Sequence, residues 1–143
     1  MTADKLDWNK FDRGVFLLNV LAIIFKDGKV LIGRRENDPY IKELSWCFPG
    51  GRPGYEEDLE YYLQVEVERK TGLKIELEEV LFAKTYPEKR QFLAIYYLCR
   101  VVGGEERPGE KLKEIKWVKP EELKTYFTTS LHSRLYQIIL SLV

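Results

Sequence analysis

Acidic, basic and glycine residues that could act on a phosphorylated ligand are concentrated between Gly50 and Leu73. The segment begins with paired glycines, which allow backbone geometry that a side chain would forbid. The stretch from Tyr55 to Thr71 then contains no proline or glycine, opens with acidic residues and stops at Gly72. That pattern predicts a helix. A loop and helix of this composition are suited to binding a diphosphate.

One acidic and one basic residue lie on the face of this helix that should pack against the sheet. At about 100° per residue, Glu66 and Lys70 fall on the same stripe as Leu59 and Leu63. Charges in such a position are costly unless they find partners. A plain i,i+4 ion pair, worth roughly 0.3–0.5 kcal/mol, is one explanation. We favour the alternative that this face opens beside the paired glycines onto a ligand.

The rest of the chain must supply the elements that position this segment. The long apolar stretch from Gly14 to Phe25 is followed by the turn dipeptide Asp27-Gly28 and by Lys29 to Gly33, which predicts a hairpin of buried strands. Strands are also predicted in Leu73 to Tyr86, Arg90 to Val102 and Ile115 to Val118. A short helix is expected at Pro120, and an amphipathic helix over Ser130 to Val143. Hairpins combined with a central and a terminal helix predict layered α/β packing.

Length and charge limit the classes of function. The 143 residues suit one domain, expected over residues 1–143 with residues 1–13 as an N-terminal arm. Lys plus Arg and Asp plus Glu number 23 each, so no net charge favours nucleic acid or an anionic membrane. No apolar run approaches the roughly 20 residues that span a bilayer. The polar N-terminus lacks a signal core, which predicts a cytoplasmic protein.

The spacing of the central segment resembles the Nudix box, Gly-x5-Glu-x7-Arg-Glu-U-x-Glu-Glu-x-Gly-U, in which U is apolar. Six positions match: Gly51, Glu57, Glu66, Val67, Gly72 and Leu73. The flanking segments Val30 to Arg35 and Trp46 to Gly51 are similar to the family's strands. The resemblance implies a Nudix-like α/β/α sandwich of the α+β class with a mixed sheet. It also implies a loop and helix that bind Mg²⁺ or Mn²⁺ and cleave nucleoside diphosphates linked to another group.

Three central box positions differ from the family pattern. The box arginine is Val65, and the last two glutamates are Arg69 and Lys70. By resemblance, Glu66 is the metal ligand that remains, and Glu66 and Glu57 are the remaining catalytic acids. Ammonium and guanidinium groups repel a hard cation, so any metal is expected to bind weakly or not at all. Lys70 is expected to take the place of a cation beside Glu66 and to face the diphosphate.

Three arginines flank the predicted pocket and are candidates for substrate binding. Arg34 and Arg35 precede the box, and Arg52 follows Gly50 and Gly51, which are themselves expected to contact the substrate. Guanidinium groups bind phosphate oxygens with two parallel hydrogen bonds. For Arg34 and Arg35, which begin the predicted loop from Arg34 to Ser45, the alternative is a role as solvated strand-end charges.

Three functions are compatible with the substituted box. The leading hypothesis is a Nudix-type hydrolase that acts on a small-molecule nucleoside diphosphate derivative. A nucleotide-binding or regulatory module without turnover is the first alternative. The second resembles the GDP-mannose mannosyl hydrolase branch, which also carries Gly-Gly-Arg at this place and uses a late histidine as base, here His132. The resemblance is also compatible with a homodimer.

Aromatic residues such as Tyr86 and Phe92 are assigned to packing, because alternating aromatic and aliphatic residues in strands usually have that role.

Overall fold

A computed structural model describes residues 14–35, 46–127 and 131–142 of the chain. Its strands are β1 (Leu17–Lys26), β2 (Lys29–Arg35), β3 (Trp46–Cys47), β4 (Gly50–Gly51), β5 (Leu73–Tyr86), β6 (Lys89–Gly104) and β7 (Leu112–Val118). Its α-helices are α1 (Leu59–Thr71), α2 (Leu123–Tyr126) and α3 (Ser133–Leu140), and a 3₁₀ turn at Pro120–Glu122 precedes α2. The predicted N-terminal arm lies outside the described residues.

The strands form one sheet in the order β3-β2-β1-β6-β5, with β4 paired to β1 and β7 paired to β2. β1 runs parallel to β6, with Leu17 opposite Phe92 and Ile24 opposite Cys99. The other pairs are antiparallel. The predicted mixed sheet of the α+β class is therefore confirmed.

Helices cover both faces of the sheet. Alternate residues of a strand point to opposite faces, and β1 is buried on both. Val20 and Ala22 pack in a cluster with Leu63 of α1, whereas Ile23 packs in a second cluster with Leu135 of α3. This arrangement is the predicted α/β/α sandwich, and it explains the nearly continuous apolar sequence of β1. None of the helices in the described ranges is long and apolar enough to cross a membrane.

Local hydrogen bonds at its two ends set the boundaries of α1. α1 begins at Leu59 and not at Tyr55, because the carboxylate of Asp58 accepts the Tyr61 N–H at 3.0 Å and caps the helix. Gly72 ends α1 as predicted, with a φ of 77° and its N–H donated to the Glu68 carbonyl at 2.8 Å.

Three further boundaries differ from the predictions. Arg34 and Arg35 belong to β2 and do not begin a loop, and β7 starts at Leu112 instead of Ile115. α3 is limited to Ser133–Leu140. Its predicted outer ends, residues 130 and 143, lie outside the described residues.

Candidate functional site

The glycine pair of β4 lies directly against the backbone of β1. Leu21 pairs with Gly50, and Val20 pairs with Gly51. A Cβ atom on Gly50 would lie 2.1 Å from the Val20 carbonyl oxygen, a distance that no side chain tolerates. The Ala22 N–H also donates to the Pro49 carbonyl at 2.8 Å. The sequence Pro49-Gly50-Gly51 therefore brings the backbone before α1 to one fixed position.

A cavity of about 630 Å³ opens beside β4 and the inward face of α1. Residues of β1, β3, β4 and α1 line it. Further lining residues come from the last residue of β2, from the hairpin end of β5 and β6, and from the loop before β7. The charged lining comprises five basic and three acidic side chains: Arg35, Arg52, Arg69, Lys70, Lys111, Glu57, Glu66 and Glu110. This volume lies within the usual range for small-molecule sites, and basic groups are in excess.

Lys70 connects α1 to the glycine loop across the cavity. Its Nζ donates a hydrogen bond to the Gly50 carbonyl and lies 3.6 Å from Oε2 of Glu66. The side chains of Lys70 and Glu66 are only 14% and 10% exposed. The predicted placement of this pair on the inward face beside the glycines is what the structure has.

Arg69 extends the same ion-pair network toward the loop before β7. Its Nη1 donates to Oε1 of Glu66 at 2.7 Å, and its Nε lies 3.7 Å from Oε2 of Glu110. That loop is joined to the end of α1 by backbone bonds, because the N–H of Gly109 donates to the Lys70 carbonyl at 2.7 Å. Both carboxylate oxygens of Glu66 therefore have basic neighbours.

The electrostatic environment of Lys70 opposes its charge. Burial is the largest effect and lowers the pKa of Lys70, Glu66 opposes that change, and the nearby charges of Arg35 and Lys111 lower the pKa further. Arg35 and Lys111 thus oppose the charge of Lys70 at the same end of the cavity. An anion placed among them would relieve this repulsion.

Tyr62 forms part of the wall between α1 and the glycine loop. Its hydroxyl accepts a hydrogen bond from the Arg52 backbone N–H, while burial, together with the charges of Glu66 and Glu57, raises its pKa to about 12. Tyr62 is therefore a neutral hydrogen-bonding group at neutral pH. A Cβ atom on Gly51 would lie 2.4 Å from this hydroxyl.

Glu57 lies before the helix cap, at an exposed part of the cavity lining. Its Oε2 accepts the Gly54 N–H at 3.0 Å. Glu57 and Glu66 thus both line the cavity, as the sequence predicted, but Glu57 is held by the loop and Glu66 by α1. Their environments differ because one carboxylate faces solvent and the other faces two basic side chains.

The end of the cavity nearest β5 and β6 is aromatic. Phe48, Tyr86 and Phe92 line it, and the Arg52 guanidinium lies over the Phe92 ring, 4.9 Å from its centroid. These rings are nearly fully buried, with Phe48 3%, Tyr86 6% and Phe92 1% exposed. Tyr86 and Phe92 belong to a buried hydrophobic core cluster, so the prediction that they pack is confirmed.

Two predicted site residues lie elsewhere. Arg34 does not line the cavity, because neighbouring strand residues point to opposite faces and Arg35 takes the inward position. The Nε of Arg34 instead donates to Glu114 of β7 at 2.9 Å, where both side chains are substantially exposed. The structure therefore does not bring Arg34 to the cavity, and its position favours the alternative of a solvated strand-end charge.

The structure also places His132 outside the cavity lining. Its Nδ1 accepts the Arg134 N–H at 3.0 Å, so the imidazole caps α3, and its ring packs on Phe82 with centroids 5.0 Å apart. This is a structural role. The geometry does not support the predicted function of His132 as a catalytic base.

The acidic groups beside α1 do not fit a divalent metal. A hard cation requires several oxygen ligands, and here the one buried carboxylate, Glu66, is already bonded to Arg69 and faces Lys70. Across residues 14–35, 46–127 and 131–142, no three His, Cys, Asp or Glu side chains are grouped so that they could hold a metal ion.

Several lining residues were missed by the sequence reasoning. Glu110 and Lys111 precede β7 in a loop without any recognisable motif, and Asn19 is a polar residue within an apolar strand. Asn19 could have been noticed, because an amide in a strand buried on both faces needs a partner. Glu110 and Lys111 left no such signal, because backbone hydrogen bonds between their loop and α1 bring them to the cavity.

Comparison with known proteins agrees with the fold. The NUDIX domain model matches residues 15–139. An ADP-ribose pyrophosphatase of Methanocaldococcus jannaschii is 30% identical over 67% of this chain, which spans 57% of that protein's length. The nucleoside triphosphatase NudI of Escherichia coli is 27% identical over 75% of this chain and 84% of its own.

Solved structures share the fold. The crystal structure of a MutT protein from Methanosarcina mazei superimposes with a TM-score of 0.73 at 21% identity, covering 87% of this chain and 93% of the other. Likeness at this identity concerns the fold alone. Together with the match of the domain model over almost the whole described chain, it shows that this chain belongs to the NUDIX domain family.

Proposed function

We propose that the cavity binds the diphosphate of a small nucleoside diphosphate derivative, and that metal-dependent hydrolysis of this ligand is impaired. The observation that carries the proposal is the convergence of Arg35, Lys70 and Lys111 at one end of the cavity. The charges of Arg35 and Lys111 oppose that of Lys70, and a bound group with two or more negative charges would offset this repulsion. A diphosphate is such a group.

The other end of the cavity supports the nucleoside part of the ligand. Phe92 and Tyr86 border this end, and the Arg52 guanidinium lies over the Phe92 ring. A planar base could stack on this guanidinium, or the guanidinium could bind a phosphate oxygen. Two relatives whose names specify ADP-ribose or nucleoside triphosphates favour the same ligand class.

Impaired turnover is supported by the chemistry of the acidic groups. Hydrolysis by a metal-bound water requires a cation with an open coordination position. Glu66 is held by Arg69 and Lys70, which lie three and four residues after it on the helix. These groups can neutralise a bound diphosphate, but they cannot activate water as a metal does.

Retained hydrolysis is the second candidate, and one observation favours it. Glu57 and Glu66 both line the cavity, so two carboxylates remain near a bound diphosphate. Glu57 is exposed, and only one bond to Gly54 holds its carboxylate in place. It could therefore turn toward a water molecule or a weakly held cation, and this would give slow turnover.

The experiment is a panel of nucleoside diphosphate derivatives, with ADP-ribose first, incubated with the purified protein in Mg²⁺, in Mn²⁺ and in chelator. Product formation and ligand-induced thermal stabilisation are both scored. Stabilisation without product supports the proposal, and metal-dependent product supports the second candidate. Neither stabilisation nor product with any member of the panel would contradict both.

A matched pair of variants locates the binding site. Arg52→Gln should reduce the stabilisation by ADP-ribose, because it removes a guanidinium from the cavity wall. Arg34→Gln removes the same group from the adjacent exposed surface, where Arg34 pairs with Glu114, and should leave the stabilisation unchanged. Equal effects of the two substitutions would count against the assigned cavity.

A further inference from the structure

Lys70 occupies a position where oxygen atoms converge. Its Nζ donates to the carbonyl oxygen of Gly50 and lies 3.6 Å from the carboxylate of Glu66. Backbone carbonyls and carboxylates are the ligands with which proteins surround hard cations. The side chain is only 14% exposed, so the ammonium is held within the wall of the cavity and not in bulk solvent.

Arg69 completes the neutralisation of the same carboxylate. It bonds Oε1 of Glu66 at 2.7 Å, while Lys70 faces Oε2, so each oxygen has its own basic partner. Arg69 is in turn anchored by Glu110 at 3.7 Å. A divalent ion would have to displace both basic groups and would then be repelled by them at short range.

We propose that the ammonium of Lys70 is a resident cation that neutralises the diphosphate of the ligand without a divalent metal, and that Lys70 and Arg69 together exclude such a metal. This inference rests on the proposed function, because it assumes that the ligand carries a diphosphate. It goes further by assigning the counter-charge to the chain itself and by predicting that binding is insensitive to chelators.

The charge balance of the cavity lining suggests a double variant of Arg69 and Lys70 as the test. The lining has five basic and three acidic side chains, and Arg69→Glu with Lys70→Glu would reverse this balance to three and five. It would also place carboxylates three and four residues after Glu66. Residues with this spacing are neighbours on one face of a helix, so the variant would present three acids to one ion.

The first arm of the experiment measures metal binding alone. Free Mn²⁺ is followed by electron paramagnetic resonance during titration with wild type and with the double variant. We expect at least tenfold tighter Mn²⁺ binding by the variant, and Lys70→Gln alone gives a milder change if the double variant folds poorly. Lys26→Glu with Lys29→Glu is the matched control, because both lysines are exposed in the β1–β2 hairpin and do not line the cavity.

A wild-type affinity for Mn²⁺ equal to that of a folded double variant, or of Lys70→Gln, would overturn the exclusion of metal. The same conclusion would follow if the hairpin control gained as much affinity as the cavity variant, since the effect would then reflect net charge.

The second arm measures the affinity for ADP-ribose by calorimetry in chelator and in Mg²⁺. Wild type should bind equally within twofold in both buffers, and Lys70→Gln should bind at least tenfold more weakly in chelator. Binding by wild type only in Mg²⁺, or full affinity of Lys70→Gln in chelator, would overturn the inference while leaving the cavity assignment intact. Absence of ADP-ribose binding in both buffers would instead contradict the proposed function for this ligand, and the Mn²⁺ arm would then decide the exclusion of metal by itself.

Discussion

The coupling between Glu66 and Lys70 should be several times stronger than that of an ordinary helical ion pair. At 3.6 Å and an effective dielectric constant of about 20, two unit charges attract by about 5 kcal/mol. Arg69 and the Gly50 carbonyl share these charges, and both side chains lose hydration, so the net value is smaller. We expect a coupling free energy of about 2 kcal/mol, against roughly 0.3–0.5 kcal/mol for an exposed i,i+4 pair.

The assay is a double-mutant cycle of the free energy of unfolding in urea. It compares wild type, Glu66→Gln, Lys70→Met and the double variant, each in low and in high salt. Each single substitution should destabilise the protein by more than the coupling alone, because it leaves a buried charge without its partner. The double variant should recover a large part of that loss.

The exposed pair of Arg34 and Glu114 provides the control cycle. Its side chains are 39% and 46% exposed, so salt should weaken it and its coupling should stay below about 1 kcal/mol. A coupling of Glu66 with Lys70 that is no larger than this control, or that disappears in high salt, would refute the reasoning. The pair would then be a surface ion pair, and its inward position would have no energetic significance.

Three further predictions concern titration, packing and thiol chemistry. Burial lowers the pKa of Lys84 to about 8, below its value in the unfolded chain. Below that pH the folded protein must bury a charged ammonium, so the stability that is lost there returns as the pH rises through 8. The free energy of unfolding should therefore rise by about 1 kcal/mol from pH 7 to pH 9, and an equal rise in Lys84→Met would contradict this. Gly50→Ala should unfold at clearly lower urea than Gly51→Ala, because its Cβ meets the β1 backbone and not a movable tyrosine side chain; equal midpoints would argue against the close approach. Burial raises the pKa of Cys99 to about 12, so iodoacetamide at pH 8 should modify the half-buried Cys47 first. ADP-ribose should slow the labelling of Cys47, because Cys47 lines the cavity. Faster labelling of Cys99 than of Cys47 would be inconsistent with the burial of Cys99.

The sequence predicted the parts of the site that depend on spacing along one element. The period of the helix placed Glu66 and Lys70 on the inward face of α1, and both are largely buried there. Gly72 ended the helix because its missing side chain allows a left-handed conformation. The hairpin at Asp27-Gly28 followed from turn chemistry, and both residues do have positive φ.

The sequence did not predict contacts between elements that are distant along the chain. The parallel pairing of β1 with β6 brings Phe92 beside the start of β1, and no local pattern encodes that pairing. The approach of Glu110 to Arg69 depends on a loop whose bonds are made by its backbone, which has no residue-specific signature. Arg34 lies away from the cavity because a one-residue difference in strand position decides which face a side chain occupies.

A cation supplied by the chain separates two tasks that one metal ion can perform together. An ammonium neutralises phosphate oxygens, but it offers no open coordination position and cannot lower the pKa of a bound water as a metal does. If Lys70 has this role, its substitution should change ligand affinity much more than any residual rate of hydrolysis. A carboxylate at the same position would weaken direct binding of the phosphate, so ligand affinity should fall. With metal supplied, the carboxylate would also provide an oxygen ligand for the metal, so the rate of hydrolysis should rise. Affinity and turnover would therefore respond in opposite directions to a single side chain at position 70.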